Sequence, residues 1–378
     1  MRCALCTMLY GKSNSEGEEC DMCEGIGEEI DKFTELMLEA SRDYEFDTFS
    51  MGTKIYDSIE KRENGSEGRF KREFNEQLRV AFENRSGKTY AVDSGDLYFL
   101  VDARFDWVQT SARPVFIYGR YNKLSRELPQ TKKLCPKCEG RGCYYCEGKG
   151  TLFEESVEEL IGKVFIERFR AIDTKFHGMG REDIDVRMLG NGRPFVIELV
   201  EPRIRDVDLE MLEKEFIEND KIRIRDLAYS DFAEVVRIKS AKPRKIYAVE
   251  ALFDERITRE ELEIALKSIS GKEVHQRTPL RVLQRRSDLV RTRKIFRAEM
   301  VDFSAGRARI EIESESGTYI KELIHGDKGR TVPSLAALLN CNCRVESLDV
   351  IRIEEVENAK DVTREKGEYE ESSHEEDE

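Results

Sequence analysis

Residues 178–195 read Gly178-Met-Gly180-Arg181-Glu182-Asp183-Ile-Asp185-Val-Arg187-Met-Leu-Gly-Asn-Gly-Arg193-Pro-Phe195, a glycine-flanked turn with a carboxylate set between guanidinium groups. Glycine has no Cβ, so a backbone or a ligand can approach such a turn closely. Arg181, Arg187 and Arg193 can hold an anionic substrate against Asp183 through charge-assisted hydrogen bonds. The same residues also suit a polar surface loop whose acids and arginines pair with one another. The rest of the chain decides between the two.

Outward from this run, the apolar pattern alternates between strand and helix periods. Strands are expected at 184–189, 194–200, 222–239, 245–252, 292–313 and 344–353, with helices at 153–168, 207–218, 258–269, 318–325 and 334–340. The strands outnumber the helices and follow one another directly, which predicts an α+β fold with a largely antiparallel mixed sheet rather than a doubly wound one. In the first third, Ile26, Ile30, Phe33, Met37 and Ala40, and then Phe70, Phe74, Leu78, Ala81 and Phe82, recur at helical spacing, whereas Leu97–Val101 and Pro114–Tyr118 are strand-like. Residues 62–68, Arg-Glu-Asn-Gly-Ser-Glu-Gly, read as an exposed loop.

At 378 residues the chain has room for two folded units and short modules. No apolar run reaches the roughly 18 residues of a membrane span, and a cysteine pair stands where a signal peptide would be apolar. A soluble, intracellular, cytoplasmic protein is expected, and 37 % charged residues with 8 prolines would also suit a heat-adapted one. The net charge of −14 is unevenly placed: residues 1–40 hold ten acids against three bases, and 365–378 hold eight acids against one lysine. Between them the chain is balanced, with nine Lys/Arg against two acids in 271–297 and eight against three in 221–245. Such stripes can form a phosphate footprint that the net charge conceals. The acidic tail has no apolar period and repels itself, so disorder is expected there.

Ten cysteines lie at 3, 6, 20, 23, 135, 138, 143, 146, 341 and 343, and eight of them form four Cys-x-x-Cys pairs. Two such pairs supply the four sulfurs of a closed tetrahedral zinc site. Sequential pairing gives Cys3, Cys6, Cys20 and Cys23 for one structural zinc and Cys135, Cys138, Cys143 and Cys146 for a second, with cross-pairing as the alternative. Disulfides are the poorer reading in an intracellular chain. The second quartet, Cys135-Pro-Lys-Cys-Glu-Gly-Arg-Gly-Cys-Tyr-Tyr-Cys-Glu-Gly-Lys-Gly150, resembles the Cys-x-x-Cys-x-Gly-x-Gly unit of DnaJ-type chaperones over these sixteen residues only, and reads as a local staple. With sulfur in every position, neither site keeps a place for water or substrate. Cys341 and Cys343, beside the leucines of 335–339, read as core or near-core residues.

Two more runs have the character of the first. Lys245-Ile-Tyr247-Ala-Val-Glu-Ala251 puts a tyrosine on a strand, and Gly317-Thr-Tyr319-Ile320-Lys321-Glu-Leu323-Ile-His325-Gly opens a helix. Alone, each is ordinary: strand tyrosines are usually cross-strand residues, and Gly-Thr is a common helix start. Together and in this order the three runs resemble the motifs of pseudouridine synthases, a Gly-Arg-x-Asp loop, a Lys-x-Tyr strand and a Gly-Thr-Tyr-Ile-(Lys/Arg) helix start. Their neighbourhood, with Gln276-Arg-Thr-Pro-Leu-Arg-Val-Leu-Gln-Arg-Arg286, Asp288-Leu-Val-Arg-Thr-Arg-Lys294, Arg126-Glu-Leu-Pro-Gln-Thr131 and Ser156-Val-Glu-Glu-Leu-Ile161, is similar to the archaeal and eukaryotic tRNA pseudouridine synthases of the Pus-ten type. The resemblance extends to the first cysteine pairs and covers nearly the whole chain except the tail.

That resemblance implies a zinc-containing, THUMP-like RNA-binding domain over residues 1–130, a second zinc module or linker at 131–150, a pseudouridine synthase catalytic domain at 151–357 and an acidic tail at 358–378. It implies the T-arm of tRNA as substrate, with uridines 54 and 55 as targets in the archaeal members. It also implies isomerisation by aspartate-dependent cleavage, base rotation and C-glycoside formation, without metal or coenzyme in the chemistry. Asp183 fits the catalytic position, and its carboxylate would act at the sugar or at the base. Lys321 would stand opposite and keep it ionised, and Tyr247 would stack on the base and accept a proton. Tyr319, Ile320 and Leu323 would wall the pocket, and Arg181 would fill the space the flipped base leaves. Asp185, two residues on, is the rival to Asp183. The 271–297 stretch is the expected phosphate track, its alternative being a solvated sheet face, which usually mixes both signs. No role falls to the four histidines.

Two other classes remain. A non-catalytic zinc-knuckle RNA-binding protein would tolerate loss of Asp183. A chaperone-like or thiol-redox protein would need an apolar binding surface or a redox fold that the sequence lacks.

Overall fold

Phe70, Phe74, Leu78 and Phe82 recur every four residues, and that spacing gathers them on one face of a helix where all four are buried. The computed structural model describes residues 1–13, 19–63, 68–217, 219–254, 256–284 and 286–354. The acidic tail and the middle of the 62–68 loop lie outside the described residues.

Two units emerge, interleaved along the sequence. The first takes Met1–Ile117, Ile161–Phe176 and Ile197–Asp208, and the second Tyr118–Leu160, His177–Val196 and the chain from Leu209 onward.

The first unit contains helices α1 (Ala4–Tyr10), α2 (Ile30–Ser41), α3 (Asp57–Arg62) and α4 (Arg69–Ser86) with strands β1 (Thr48–Lys54), β2 (Thr89–Tyr90), β3 (Leu97–Asp102) and β4 (Trp107–Ala112). The strand order is β2-β1-β3-β4, with β1 parallel to both neighbours and β3 antiparallel to β4. Phe33 of α2 meets Phe74 edge-on at 5.9 Å, while Phe82 touches Phe49 at 4.7 Å and Phe99 at 5.0 Å. Each of these rings contributes about 1.5–3 kcal/mol by burial. The helix expected over 26–40 starts as a 3₁₀ turn, Ile26–Glu28, before α2.

The remaining elements are β5 (Val115–Lys123), α5 (Val157–Phe169), β6 (Asp173–Gly178), β7 (Val186–Val200), α6 (Leu209–Lys214), β8 (Ile222–Ser230), α7 (Phe232–Ser240), β9 (Arg244–Phe253), α8 (Arg259–Ile269), β10 (Glu273–Arg277), β11 (Val290–Ser304), β12 (Arg307–Ser314), α9 (Ile320–His325), β13 (Thr331–Val332), α10 (Leu335–Leu338) and β14 (Cys343–Glu354). A ten-stranded sheet runs β13-β10-β11-β12-β9-β14-β7-β5-β8, with β6 beside β7. From β13 through β14 each pairing is antiparallel, and β14 is parallel to β7. The α+β class and the largely antiparallel mixed sheet are therefore as expected.

Two local expectations change. The second half of the strand expected over 222–239 belongs instead to α7, because Asp231 accepts a hydrogen bond from the Glu234 N–H at 3.1 Å and caps a helical start. The helix expected over 207–218 is shortened to Leu209–Lys214. Alternation along β9 puts Lys245 and Tyr247 on one face. Tyr247 lies between Ile312 of β12 and Val350 of β14 in register.

Candidate active site

Gly180 takes φ 77°, the left-handed region that glycine enters without strain, and turns the chain so that Arg181, Glu182 and Asp183 face one cleft of the second unit. The turn is pinned from beneath by Lys123, which is fully buried and donates to the carbonyls of Leu128 at 2.9 Å, Asp183 at 3.2 Å and Ile184 at 2.7 Å. Burial pushes the Lys123 ammonium down to about 8.

The cleft encloses about 390 Å³ and is lined by the turn, by Lys245 and Tyr247 of β9, by Arg281 and Arg286, by Tyr319–Lys321, and by Leu348 and Val350 of β14. The Asp183 carboxylate accepts from Arg281 Nη1 at 2.8 Å and lies 3.8 Å from Lys321 Nζ. Arg281 donates its Nε to buried Glu322 at 2.7 Å. Burial works against the Arg281 cation, yet the bonds to Glu322 and Asp183 outweigh it and hold its pKa above the usual value. Lys321 gives its shortest bonds to Asp185, at 2.6 and 2.8 Å. Burial opposes ionisation of Asp185, and the bond from Lys321 more than offsets it, so its pKa is lowered.

The floor is a buried polar network. Arg193 and Glu182 pair at 2.8 Å with both side chains 1 % exposed. Tyr121 donates its hydroxyl to Glu182 at 3.0 Å, Gln130 donates to the Tyr121 oxygen at 2.8 Å and to the Gly180 carbonyl at 3.0 Å, and Arg193 Nη1 donates to the Met179 carbonyl at 2.7 Å. A network satisfied this fully fixes the turn.

Asp183 thus accepts from Arg281 and faces Lys321 beside the buried ring of Tyr247, all in one cleft. The family model described as Pus10, C-terminal, matches residues 116–354. A tRNA pseudouridine synthase Pus10 of Archaeoglobus fulgidus is 40 % identical over 356 residues, covering 92 % of this chain and 99 % of that protein. The chain belongs to the Pus10 family of tRNA pseudouridine synthases. The Pus10 protein of Methanothrix thermoacetophila is 44 % identical over 78 % of this chain and 65 % of its own length. Among solved structures, a Cbf5-Nop10-Gar1 complex aligns with a TM-score of 0.34 and 18 % identity, covering 52 % of this chain and 45 % of that one. As a pseudouridine synthase of the Pus10 family, the protein is an isomerase.

In this Pus10-family chain Asp183, Tyr247, Tyr319, Ile320, Lys321 and Arg181 all line the cleft. Arg181 is exposed and has no ion pair among the described residues. Tyr319 donates its backbone N–H to the Gln276 side chain at 2.9 Å and accepts at its hydroxyl from Arg286 at 3.1 Å. Arg187 is elsewhere: strand alternation turns Val186 to the cleft and Arg187 away, where it pairs with Asp349 at 2.7 Å. Leu323 is fully buried and does not line the cleft, because the helix face that carries it packs inward; Leu348 and Val350 supply the apolar wall instead. Asp185 also falls outside the lining, and holds Lys321 rather than the substrate space. Arg193 is spent on Glu182 and does not reach out to an anion.

Burial pushes the Tyr247 phenol up to about 12, so the ring is uncharged near neutrality. Leu348 carries no motif signal of its own. Arg281 lies in the Gln276–Arg286 run and in the basic stripe, but only its partners Asp183 and Glu322 single it out among those bases.

Both cysteine quartets gather as sequential pairing predicts. Sulfur separations are 3.6 Å for Cys3 and Cys23, 3.8 Å for Cys135 and Cys143, and 3.7 Å for Cys138 and Cys146. A tetrahedral zinc with bonds of about 2.3 Å has edges of about 3.8 Å, which these sets fit, whereas a disulfide needs about 2.05 Å. Backbone N–H groups of Gly27 and Gly150 point at Cys23 and Cys146 at 3.4 and 3.2 Å and stabilise thiolates. Cys343 donates to the Ile324 carbonyl at 3.0 Å, away from either cluster.

Proposed function

We propose that this enzyme isomerises uridines 54 and 55 in the T-arm of tRNA. The observation that carries the reading is the Asp183 carboxylate, bonded to Arg281 and faced by Lys321, beside the ring of Tyr247 in a cleft of about 390 Å³. Asp183 acts where the C1′–N1 bond breaks and the C1′–C5 bond forms. The target base stacks on Tyr247 between Ile320 and Leu348, and Arg281 and Lys321 hold the carboxylate in place. Leaving the helical stack costs the base a few kcal/mol, which Arg181 offsets by occupying the gap.

The region 1–130 acts as a THUMP-like RNA-binding domain, 131–150 as a small zinc module and 151–357 as the catalytic domain. Zinc in the two cysteine sets is structural, since four sulfurs fill its coordination sphere. No helix among the described residues is long and apolar enough to cross a membrane, in keeping with a cytoplasmic enzyme acting on tRNA.

The test is conversion of an unmodified tRNA transcript without added cofactor, mapped by carbodiimide-blocked primer extension. Asp183→Ala abolishes both stops while tRNA binding persists. Undiminished conversion by Asp183→Ala with loss in Asp185→Ala transfers the role to Asp185, and absence of any conversion by the wild-type chain favours a pure RNA binder.

A further inference from the structure

Lys245 is 6 % exposed, yet it lines the catalytic cleft and has no hydrogen bond or ion pair among the described residues. Its ammonium stands by Gly180: a Cβ built there would lie 3.3 Å from Lys245 Nζ and 3.4 Å from Arg193 Nη1. Two cations thus sit at the cleft floor, and the one acid there, Glu182, is bonded to Arg193 and Tyr121. An unpaired buried cation is costly unless something completes its hydrogen bonds. Because Lys245 lines the cleft, a group bound there can complete them.

We infer that Lys245 contacts the substrate, donating from Nζ to a carbonyl oxygen of the target uracil stacked on Tyr247. The inference rests on the pseudouridine synthase reading of this cleft and adds to it. When the C1′–N1 bond breaks, its electron pair moves onto the ring and the negative charge spreads to O2 and O4. A fixed cation beside one of these oxygens stabilises that charge where water is excluded. A half-turn about the line from N3 to C6 exchanges N1 with C5 and also O2 with O4. The ammonium therefore meets an equivalent acceptor before rotation and after it, and keeps its own proton throughout. The C5 proton leaves to solvent only after the C1′–C5 bond has formed, and N1, freed from C1′, takes up a proton in its place. Cytosine would present an amino donor to the same ammonium in one of the two orientations, so the contact also selects uracil.

Burial, and then repulsion from Arg193, pushes Lys245 down to about 7, against the attraction of Glu182. Its register partners, Ser314 of β12 and Ile353 of β14, carry no charge. Beside Glu182 and Arg193, the other charged or titratable groups lining the cleft are Arg181, Asp183, Tyr247, Arg281, Arg286, Tyr319 and Lys321.

The experiment uses the full chain and a tRNA transcript labelled with tritium at uridine C5, read as single-turnover tritium release across pH 6–9, with tRNA affinity measured in parallel. Lys245→Met slows release on the order of 100-fold, the typical loss of one charge-stabilising donor, and leaves tRNA affinity unchanged. The wild-type rate falls as pH rises above 7, and Lys245→Arg, which stays protonated, removes that fall. A wild-type rate in Lys245→Met beside an inactive Asp183→Ala overturns this inference alone, whereas conversion by Asp183→Ala overturns the reading of the site. A loss in Lys245→Met matched by weaker tRNA binding, or an unchanged pH fall in Lys245→Arg, also overturns the inference. Should Lys245→Met fail to fold, the Lys245→Arg profile decides.

Discussion

The core of the first unit and the floor of the catalytic cleft are both fully buried, but they are built from opposite materials. Around α2, α4 and the four-stranded sheet, phenylalanines meet ring to edge and polar groups are few. Beneath the cleft, Lys123, Glu182, Arg193, Lys245 and Tyr121 are buried in place of apolar side chains. Apolar packing stabilises through area and tolerates volume-conserving change. A buried charge network contributes little net stability, yet losing one member leaves the others unpaired. The contrast separates residues that pack the first unit from residues that hold the Gly180 turn.

The most severe way to sharpen this contrast is Asp183→Ala, which should cut single-turnover conversion at least about 1,000-fold, as for a group that acts in the transition state, with no change in melting temperature. Next, Arg193→Met should cost about 3–5 kcal/mol of stability by stranding Glu182 and should disorder the turn, so conversion and stability fall together. Phe82→Ala should cost about as much, roughly 3–5 kcal/mol, while the rate per folded molecule stays at the wild-type value; a slower rate there would break the comparison.

Lys245→Met should raise stability, because a buried lysine whose pKa is depressed to about 7 is an uncompensated burden. The sign follows from linkage: below pH 7 the unfavourable charge is fully present in the fold. From pH 7 to the unfolded lysine value the folded state has shed the proton and the unfolded state has not, so the burden shrinks by about 1.4 kcal/mol per pH unit. The stability gain of the variant, measured by urea unfolding, should therefore be largest at pH 6–7 and smaller at pH 9. Last, Arg286→Ala loses one exposed bond to the Tyr319 hydroxyl, worth about 0.5–1.5 kcal/mol, and should slow conversion by no more than about tenfold.

How far the sequence discloses each region follows the same divide. The apolar core shows in periodicity, since Phe70, Phe74, Leu78 and Phe82 announce α4 without knowledge of any partner. Motif order brings Asp183, Tyr247 and Lys321 together, one on the Gly180 turn, one on β9 and one on α9. Pairing across long separations is not legible: Asp183 bonds Arg281 ninety-eight residues away, and Lys321 prefers Asp185. Strand phase decided Arg187, for a shift of one residue exchanges the two faces of a strand. Lys245 was visible as a letter in the Lys-x-Tyr run, but its burial depends on Arg193 and the Gly180 turn.

The place of β14 has a bearing on how the enzyme matures. This strand comes late in the sequence but is central in the sheet, between β9 and β7, and brings Leu348 and Val350 to the cleft and Asp349 to Arg126 and Arg187. During synthesis, β9 and β7 emerge first with the slot between them empty and two strand edges open to solvent. Such edges invite pairing with other chains. Until residues 343–354 are released from the ribosome, the nascent protein has its aspartate but no closed pocket, so competence arrives in one late step rather than growing with chain length.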